Sequence, residues 1–288
     1  MGMPEARILT IGEGPGWETW FVKSPELQGC VLENAAGSAD ALQRLRSRSF
    51  EVLVTDPRTS IPEDLALLLE VGRIRPGLRT LVLAPEAAPA DVIAALRARV
   101  FACFTAPFDP REVVNMVAKA LQEPDWRRGI EVLSAQPDWI SLRVTCRLLN
   151  AERLVRFMTE MRADLAEDQR DSLLMAFREM LLNAMEHGAG FDPEKVVQVT
   201  AARTARAIVY HFRDPGPGFQ KESLAHAALS YPADQPLAHV QQREALGMRP
   251  GGWGILIASQ LVDELIYNET GNEVLLIKHV QTHQSRSA

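Results

Sequence analysis

The 288-residue sequence predicts two domains of different fold class, an N-terminal α/β domain with a doubly wound parallel sheet and a C-terminal α+β two-layer sandwich. Residues 1–122 alternate short apolar strands with amphipathic helices, which is typical of parallel strands buried on both faces. Residues 123–137 contain two prolines, a glycine and several charges, and we interpret them as a linker. From residue 138 the strands and helices are no longer evenly interleaved, so residues 138–288 form the second domain.

The N-terminal elements follow from periodicity. Four apolar segments are predicted to be strands: Arg7–Gly12, Glu51–Thr55, Thr80–Ala84 and Phe101–Thr105. Amphipathic helices are predicted between them: Ser38–Arg46, Glu63–Gly72 and Pro89–Arg99. Right-handed crossovers between such strands give the doubly wound sheet.

The C-terminal elements indicate helices on one face of a mixed sheet. The predicted strands are Trp139–Cys146, Val196–Ala202, Ala207–Arg213 and Val274–Val280. The predicted helices are Ala151–Leu165, Glu167–His187 and Ile255–Val262. Trp126 and Trp139 leave open the alternative that the linker segment packs as part of either domain.

Composition excludes several classes of protein. Hydrophobic residues are 47% and charged residues 24% of the chain, as in globular proteins. No apolar stretch reaches the length of a membrane span, and the first residues carry no export signal, so we expect a cytoplasmic protein that does not contact a membrane. A net charge of −6 argues against direct binding of nucleic acid. The three separated cysteines form no CxxC pair, which argues against a disulfide framework and a zinc site.

The first motif that carries chemistry is the helical segment from Glu179 to Gly188, EMLLNAMEHG. Glu179 and Asn183 are four residues apart and therefore share a helix face, with His187 one turn further on. A carboxylate can orient or deprotonate a hydroxyl group, and an amide oxygen can hold a hydrated Mg²⁺ beside a phosphate. Taken alone, a Glu and an Asn at this spacing are usually part of a solvated helix face.

Two glycine-rich motifs follow. Asp214 begins the sequence DPGPGF directly after a predicted strand, where the glycines allow a tight turn and a close ligand; an ordinary Asp-Pro-Gly turn is the alternative. The sequence PGGWGIL begins at Pro250 and opens a helix with bare backbone N–H groups, which favours an anion; a simple loop-to-helix junction is the alternative.

In this order and spacing, the three motifs resemble the GHKL (Bergerat-fold) ATPase family over residues 138–281. The segments NAMEHG, DPGPGF and GGWGILIASQLVDELIY are most similar to the anti-sigma-factor serine kinases within that family. The resemblance implies ATP and Mg²⁺ as cofactors. It also implies that Asn183 holds Mg²⁺ and that Glu179 is the general base.

The same resemblance assigns the remaining nucleotide contacts. Asp214 would accept the adenine amino group, and Gly216 and Gly218 would shape the adenine pocket. Gly252 and Gly254 would line the phosphates.

Other positions remain less defined by the resemblance. His187 is either a nucleotide contact or a packing or capping residue. Residues 219–250 would form an ATP lid, in which Arg243 and Arg249 either approach phosphate or remain surface charges. The chain departs from the family near the last strand, where Thr270 precedes Gly271 instead of a threonine starting the strand.

The N-terminal domain resembles a response-regulator receiver. Asp56 follows the central strand, where receivers are phosphorylated, and Thr105–Phe108 occupies the position of their Lys-Pro-Phe turn. The acidic pair is reduced to Glu13, the lysine position is Ala106, and the hydroxyl position is Ala84. We interpret the domain as a pseudo-receiver used for binding or dimerisation, with Asp56 a turn residue in preference to a phosphoacceptor.

The resemblances imply an ATP-dependent serine/threonine kinase of the partner-switching type. Its expected partner is a sigma factor or an anti-sigma-factor antagonist, and the family likeness suggests a homodimer. The alternative is a non-catalytic, nucleotide-gated protein-binding module. A histidine autokinase is not expected, because no histidine precedes His187.

Overall fold

The computed structural model describes residues 6–14, 16, 18–123, 126–162, 165–218 and 254–280. Contacts divide the chain into two compact units. Unit 1 contains the residues up to 128 together with residues 156–164, and unit 2 contains residues 129–155 and the residues from 165 onward. The first change of unit therefore falls inside the segment that the sequence predicts to be a linker.

Unit 1 is built on a five-stranded sheet in which every pair of neighbours is parallel. Its strands are β1 Arg7–Ile11, β2 Val31–Ala35, β3 Val52–Val54, β4 Arg79–Ala84 and β5 Ala102–Thr105. Their order, β2-β1-β3-β4-β5, is that of the flavodoxin-like doubly wound fold. The predicted α/β class is confirmed, whereas β2 was not predicted.

Four helices connect and follow these strands. They are α1 Ser38–Ser47, α2 Ile61–Ile74, α3 Pro89–Arg97 and α4 Pro110–Gln122. Local sequence fixes two of their starts: Ser60 and Glu63 form a capping box at α2, and the Asp109 carboxylate accepts the Arg111 N–H at α4. All three residues of β3 are buried, so the loop that carries Asp56 leaves the centre of the core.

Residues 126–136 have regular structure instead of forming an extended linker. Trp126 begins a 3₁₀ turn, Trp126–Arg128, and its buried ring lies edge-on to Phe101 of unit 1 at 5.6 Å between centroids. Residues Ile130–Gln136 form β6, which pairs with the next strand of unit 2. The linker interpretation is corrected here, because apolar burial and strand pairing recruit these residues into the two units.

Unit 2 contains a six-stranded sheet whose neighbouring pairs are all antiparallel, which corrects the predicted mixed sheet. Its strands are β6 Ile130–Gln136, β7 Trp139–Thr145, β8 Val196–Arg203, β9 Ala207–Arg213, β10 Glu264–Tyr267 and β11 Glu273–His279. Their order is β10-β11-β9-β8-β7-β6. The predicted α+β layered class is confirmed.

The helices of this part of the chain are α5 Leu148–Glu160, α6 Glu167–Asn183 and α7 Gly254–Leu261. A π-helical turn, Ala184–Gly188, continues α6. Phe177 on α6 contacts the rings of Tyr210 and Phe212 on β9, at 4.7 and 5.1 Å between centroids. This packing holds the last turns of α6 beside the end of β9, where Asp214 follows.

The last residues of α5 belong to unit 1. There, the Thr105 hydroxyl donates a hydrogen bond to the buried Glu160 carboxylate, which also pairs with Arg156. Arg156 additionally pairs with Glu112 at 2.8 Å and lies 5.0 Å from the centroid of the Phe104 ring. These contacts bind the end of α5 to β5 and α4. Among the residues described here, no helix combines the length and apolarity needed to cross a membrane.

Candidate functional site

The candidate site lies in unit 2 and begins with the Glu179 and Asn183 side chains of α6. The apolar side chains of this helix, including Phe177 and Met180, are buried, so the two polar residues one turn apart lie on a different face. Glu179 is about a quarter exposed, and its Oε1 lies 3.3 Å from Nη1 of the neighbouring Arg178.

The start of α7 lies against both of these side chains. A Cβ atom placed on Gly254 would lie 3.0 Å from Glu179 Oε2 and 3.1 Å from Asn183 Nδ2. Because Gly254 has no side chain, the first turn of α7 can lie close to the Glu179 carboxylate and the Asn183 amide. The backbone N–H groups at a helix start carry partial positive charge and attract anions.

The Asn183 amide has free hydrogen-bonding capacity. Its Nδ2 atom is buried and has no hydrogen-bond partner within the described part of the chain. Buried polar atoms without partners are uncommon in native proteins and call for an explanation, such as an absent ligand or water. A carboxamide has a donor nitrogen and an acceptor oxygen, and rotation of its terminal torsion can turn either atom toward a ligand.

Asp214 forms the second part of the site, directly after β9. Its N–H donates to the carbonyl oxygen of Asn272 at 3.1 Å, and its Oδ1 accepts the N–H of Gly216 at 2.8 Å. Burial raises the pKa of the Asp214 carboxyl group, and the Gly216 hydrogen bond partly opposes that rise. This half-buried carboxylate has no charged partner among the described residues.

Glycines enclose the Asp214 carboxylate. A Cβ on Gly188 would lie 2.2 Å from Asp214 Cγ, and a Cβ on Gly216 would lie 2.6 Å from the Gly188 carbonyl oxygen. Gly218 has φ +76° and is so close to Thr270 that a Cβ would lie 1.9 Å from its carbonyl oxygen. Larger side chains at these positions would displace the carboxylate or the wall beside it.

The wall near Gly218 is the turn between β10 and β11. Asn268 Oδ1 accepts the backbone N–H groups of Gly271, Asn272 and Glu273 at 2.7, 3.1 and 3.2 Å. Its Nδ2 donates to Asn272 Oδ1 at 2.9 Å. Thus one asparagine orders the turn whose carbonyl groups contact Asp214 and Gly218, at the position where the family resemblance leads one to expect a threonine.

Of the remaining predicted positions in unit 2, His187 is the one that the structure describes. His187 lies in the π-helical turn after α6 with an exposed side chain. Gly252, Arg243, Arg249 and the predicted lid, residues 219–250, lie outside the described residues. The described part of the site therefore contains Glu179, Asn183, Asp214 and three of the predicted glycines: Gly216, Gly218 and Gly254.

Sequence reasoning missed Gly188 and Asn268 as parts of this arrangement. The glycine that follows His187 was quoted in the first motif, but its closeness to Asp214 depends on the packing of α6 against β9. The Asn-to-Gly spacing from 268 to 271 is typical of a turn in which an asparagine side chain bonds the following N–H groups. That signal was present in the sequence and indicates turn structure, although it does not identify a site.

Asp56 of unit 1 is in a different environment from Asp214. Both of its carboxylate oxygens contact the Arg58 guanidinium, with Nε to Oδ1 at 3.0 Å and Nη2 to Oδ2 at 2.8 Å. The Arg58 backbone N–H also donates to Oδ1 at 3.0 Å. These contacts with Arg58 hold the pKa of the Asp56 carboxyl group below its ordinary value.

Comparisons with known proteins cover both units. The chain is similar to a CheY-like receiver domain protein from Methanospirillum hungatei, with 22% identity, 42% of this chain and 96% of that chain covered, and a TM-score of 0.37. It is also similar to the signal receiver domain of an HD domain-containing protein from Pseudomonas fluorescens, with 17% identity, 44% and 95% coverage, and a TM-score of 0.38. At these TM-scores the likeness adds nothing to the strand order, on which the receiver-like fold of unit 1 rests.

Two curated relatives are transcriptional regulatory proteins, GlrR of Escherichia coli K12 and QseF of Escherichia coli O157:H7. Each is 23% identical over 161 residues, which are 54% of this chain and 34% of the relative, so the chain spans about a third of their length. Residues 144–278 match the family of histidine kinase-like ATPase domains. The protein thus combines a receiver-like α/β unit with a histidine kinase-like ATPase domain at residues 144–278.

Proposed function

We propose that this protein is an ATP-dependent serine/threonine protein kinase of the anti-sigma-factor type, with unit 1 as its regulatory part. Its target would be a sigma factor or an antagonist protein. The observation that carries the proposal is the convergence of Glu179, the unpartnered Asn183 amide and the start of α7 at one point, with the half-buried Asp214 carboxylate in the same unit.

Asp214 supplies the base-recognition end of the proposed site. Its Oδ1 atom is already bonded to the Gly216 N–H, and Oδ2 accepts no hydrogen bond from the described residues. A carboxylate oxygen in a half-buried corner can accept one N–H from the exocyclic amino group of adenine. The close glycines keep the corner narrow, which favours a flat ring over a branched ligand.

Asn183 and α7 supply the phosphate end. The Asn183 side chain fits a magnesium ion held with a nucleotide, because its amide is unpartnered at Nδ2 and a turned amide would offer one oxygen, while Mg²⁺ completes its shell with phosphate oxygens and water. Among the described residues no group of three His, Cys, Asp or Glu could hold a metal alone. When bound, the ion would neutralise charge on the phosphates.

Glu179 is the proposed general base. Its Oε2 faces the start of α7, on the same helix face as Asn183, so a carboxylate lies beside the proposed phosphate position. There it can accept the proton of a serine or threonine hydroxyl and orient that oxygen toward the phosphoryl group.

One observation favours a second function, a non-catalytic module that binds its protein partner according to the bound nucleotide. Glu179 Oε1 contacts the Arg178 guanidinium at 3.3 Å, so one of its two carboxylate oxygens is already engaged by a neighbour on the same helix. In this alternative Asp214 and Asn183 still bind the nucleotide, but Glu179 has no role in transfer.

The test measures binding and transfer separately on the full chain. Radiolabelled ATP with Mg²⁺ is incubated with a serine-containing antagonist protein, and ATP binding is measured by calorimetry. We expect Glu179→Gln to lower phosphoryl transfer about 100-fold or more while leaving the ATP dissociation constant within about twofold. Glu167→Gln, in the first turn of the same helix, is the matched control and should transfer normally.

The outcomes separate the two proposals. ATP binding without transfer to any protein selects the binding module. Equal transfer by wild type and Glu179→Gln removes Glu179 from the mechanism. A chain that binds no adenine nucleotide contradicts both proposals.

A further inference from the structure

The receiver-like fold of unit 1 implies a metal ion and a phosphoryl group at Asp56, and the residues around Asp56 do not fit either. In such a site a carboxylate offers open oxygens to a divalent ion, which requires near-octahedral oxygen ligands. Here the Asp56 side chain is only 13% exposed, and Arg58 contacts both of its oxygens.

The backbone of Gly12 closes the site from the other side. Gly12 follows β1, has φ +73°, and lies so close that a Cβ would be 2.0 Å from Asp56 Oδ2 and 3.0 Å from Arg58 Nη2. No acidic side chain can occupy this position without displacing the ion pair. The next residue, Glu13, is exposed, so the neighbourhood offers no second buried carboxylate from this loop.

The nearby Asp64 carboxylate contacts the Thr59 hydroxyl and is therefore not open to a metal ion. Asp64 on α2 is buried, and both of its oxygens lie 3.1 Å from the Thr59 hydroxyl. The Thr59 hydroxyl also contacts the Asp56 carbonyl oxygen at 2.8 Å, so the loop from β3 to α2 is bonded internally. These contacts fix the loop without any external ion.

A phosphoryl group at Asp56 would have the Arg58 guanidinium beside it but would lack two other partners. It would bring about two negative charges and three acceptor oxygens, which need cationic and hydroxyl donors. The two positions expected to provide a hydroxyl and an ammonium group are Ala84 and Ala106, which have neither. A carboxylate with a lowered pKa is in addition a weaker nucleophile.

We propose that Arg58 is an internal counter-ion that takes the place of a metal at Asp56, so that Asp56 accepts no phosphoryl group and the loop between β3 and α2 keeps one charge state. Unit 1 then responds to its inputs by binding, independent of aspartate phosphorylation. This inference does not depend on the kinase proposal, because it concerns unit 1 only.

The first test uses the unaltered full chain. The protein is incubated with acetyl phosphate and Mg²⁺, without nucleotide, beside a receiver known to be phosphorylated, and its mass is measured intact. We expect no added phosphoryl group on this chain and full labelling of the control receiver. A phosphoryl group that Asp56→Asn removes would overturn the proposal.

The second test is a double-mutant cycle of Asp56→Asn and Arg58→Gln, read as Tm. If the two side chains neutralise each other, the Tm change of the double variant should differ from the sum of the single changes by about 1–4 °C. Arg73→Gln, also on unit 1 and 80% exposed, should be additive with Asp56→Asn. Additive behaviour of Arg58→Gln with Asp56→Asn would overturn the counter-ion role even if the chain takes no label.

Discussion

Asp56 and Asp214 both lie at or just beyond the end of a strand, yet the surroundings of the two carboxylates differ. Asp56 is neutralised from within by the two-pronged Arg58 guanidinium, and its pKa is lowered. Asp214 receives only a backbone N–H from Gly216, and its pKa is raised by burial. Both oxygens of the Asp56 carboxylate have a hydrogen-bond donor within unit 1. The Asp214 carboxylate has one donor, on Oδ1, among the described residues.

This difference shows that an aspartate at the end of a strand does not necessarily have a carboxylate oxygen free to bind a ligand. Asp56 lies at the carboxyl edge of a parallel sheet, where open α/β folds bind ligands, and Asp214 directly follows a strand of the antiparallel sheet. Arg58, two residues further along the chain, occupies both oxygens of Asp56 and leaves neither open to a ligand. Strand-end position alone therefore does not identify a functional carboxylate; the donors around each oxygen do.

The largest difference between the two aspartates is expected when each carboxylate is replaced by an amide in a separate variant. Asp214→Asn replaces a charged acceptor with a neutral amide, so we expect the ATP dissociation constant to rise about 10- to 100-fold. Asp56→Asn should leave it within about twofold, because Arg58 and not a ligand is its partner. Calorimetric titration with a non-hydrolysable ATP analogue and Mg²⁺ measures both. Equal losses in the two variants would contradict the distinction drawn here.

Another aspartate, the buried Asp64, sharpens the comparison through the pH dependence of stability. Asp64 is 2% exposed, and burial raises its pKa to about 6 from the ordinary value of 3.8, although hydrogen bonds from Thr55 and Thr59 lower it. The nearby Asp56 and Glu63 charges raise it further. Between about pH 4 and pH 6 the unfolded chain loses this proton while the folded chain retains it, so stability falls as pH rises through that window.

Asp64→Asn should remove this pH dependence. Because a tenfold change in an ionisation constant equals about 1.4 kcal/mol, the ionised carboxylate costs the fold up to about 3 kcal/mol at neutral pH. The amide accepts fewer bonds from Thr59, so we expect a net gain of about 1–2 kcal/mol at pH 7 and none near pH 4. Urea unfolding at several pH values measures this, with the exposed Asp171→Asn as control. A gain that is constant with pH would be inconsistent with a titrating Asp64.

A smaller effect is expected where Asp214 is supported. Asn268→Ala removes the acceptor for three backbone N–H groups in the turn that contacts Asp214 and Gly218. We expect the ATP dissociation constant to rise about three- to tenfold, corresponding to about 1 kcal/mol. Thr204→Ala is a matched control, because its hydroxyl accepts N–H groups in the turn between β8 and β9. An identical loss of ATP affinity in both variants would assign the effect to general loosening of the sheet.

Two strands that the sequence did not predict, β2 and β6, lie at sheet edges. β2 contains Glu33, which pairs with Arg7, Arg44 and Arg48, so the strand lacks the continuous apolar run that identifies a central parallel strand. β6, at the outer edge of the second sheet, is mostly exposed and interrupted at Leu133 by a shift in pairing. β2 and β6 are strands because their backbones form hydrogen bonds with β1 and β7. The pattern of apolar residues does not reveal this pairing.

The sequence predicted the helical part of the candidate site better than it predicted the edge strands. The four-residue separation of Glu179 and Asn183 predicted a shared face, and both side chains do lie beside Gly254. The Arg58 contact was not predicted, since residues two apart in a turn meet only in one loop conformation. The approach of Gly188 to Asp214 joins segments far apart in sequence and follows from tertiary packing.

Helix α5 has a practical consequence for dissecting this protein. Its last residues, from Arg156, belong with unit 1, while its first residues belong with unit 2. A fragment that stops at residue 128 would leave Thr105 and Glu112 without Glu160 and Arg156, and would expose the Phe104 ring that the guanidinium covers. Because the units are discontinuous in sequence, no single chain break yields either of them intact, and point substitutions in the full chain are the way to examine one unit at a time.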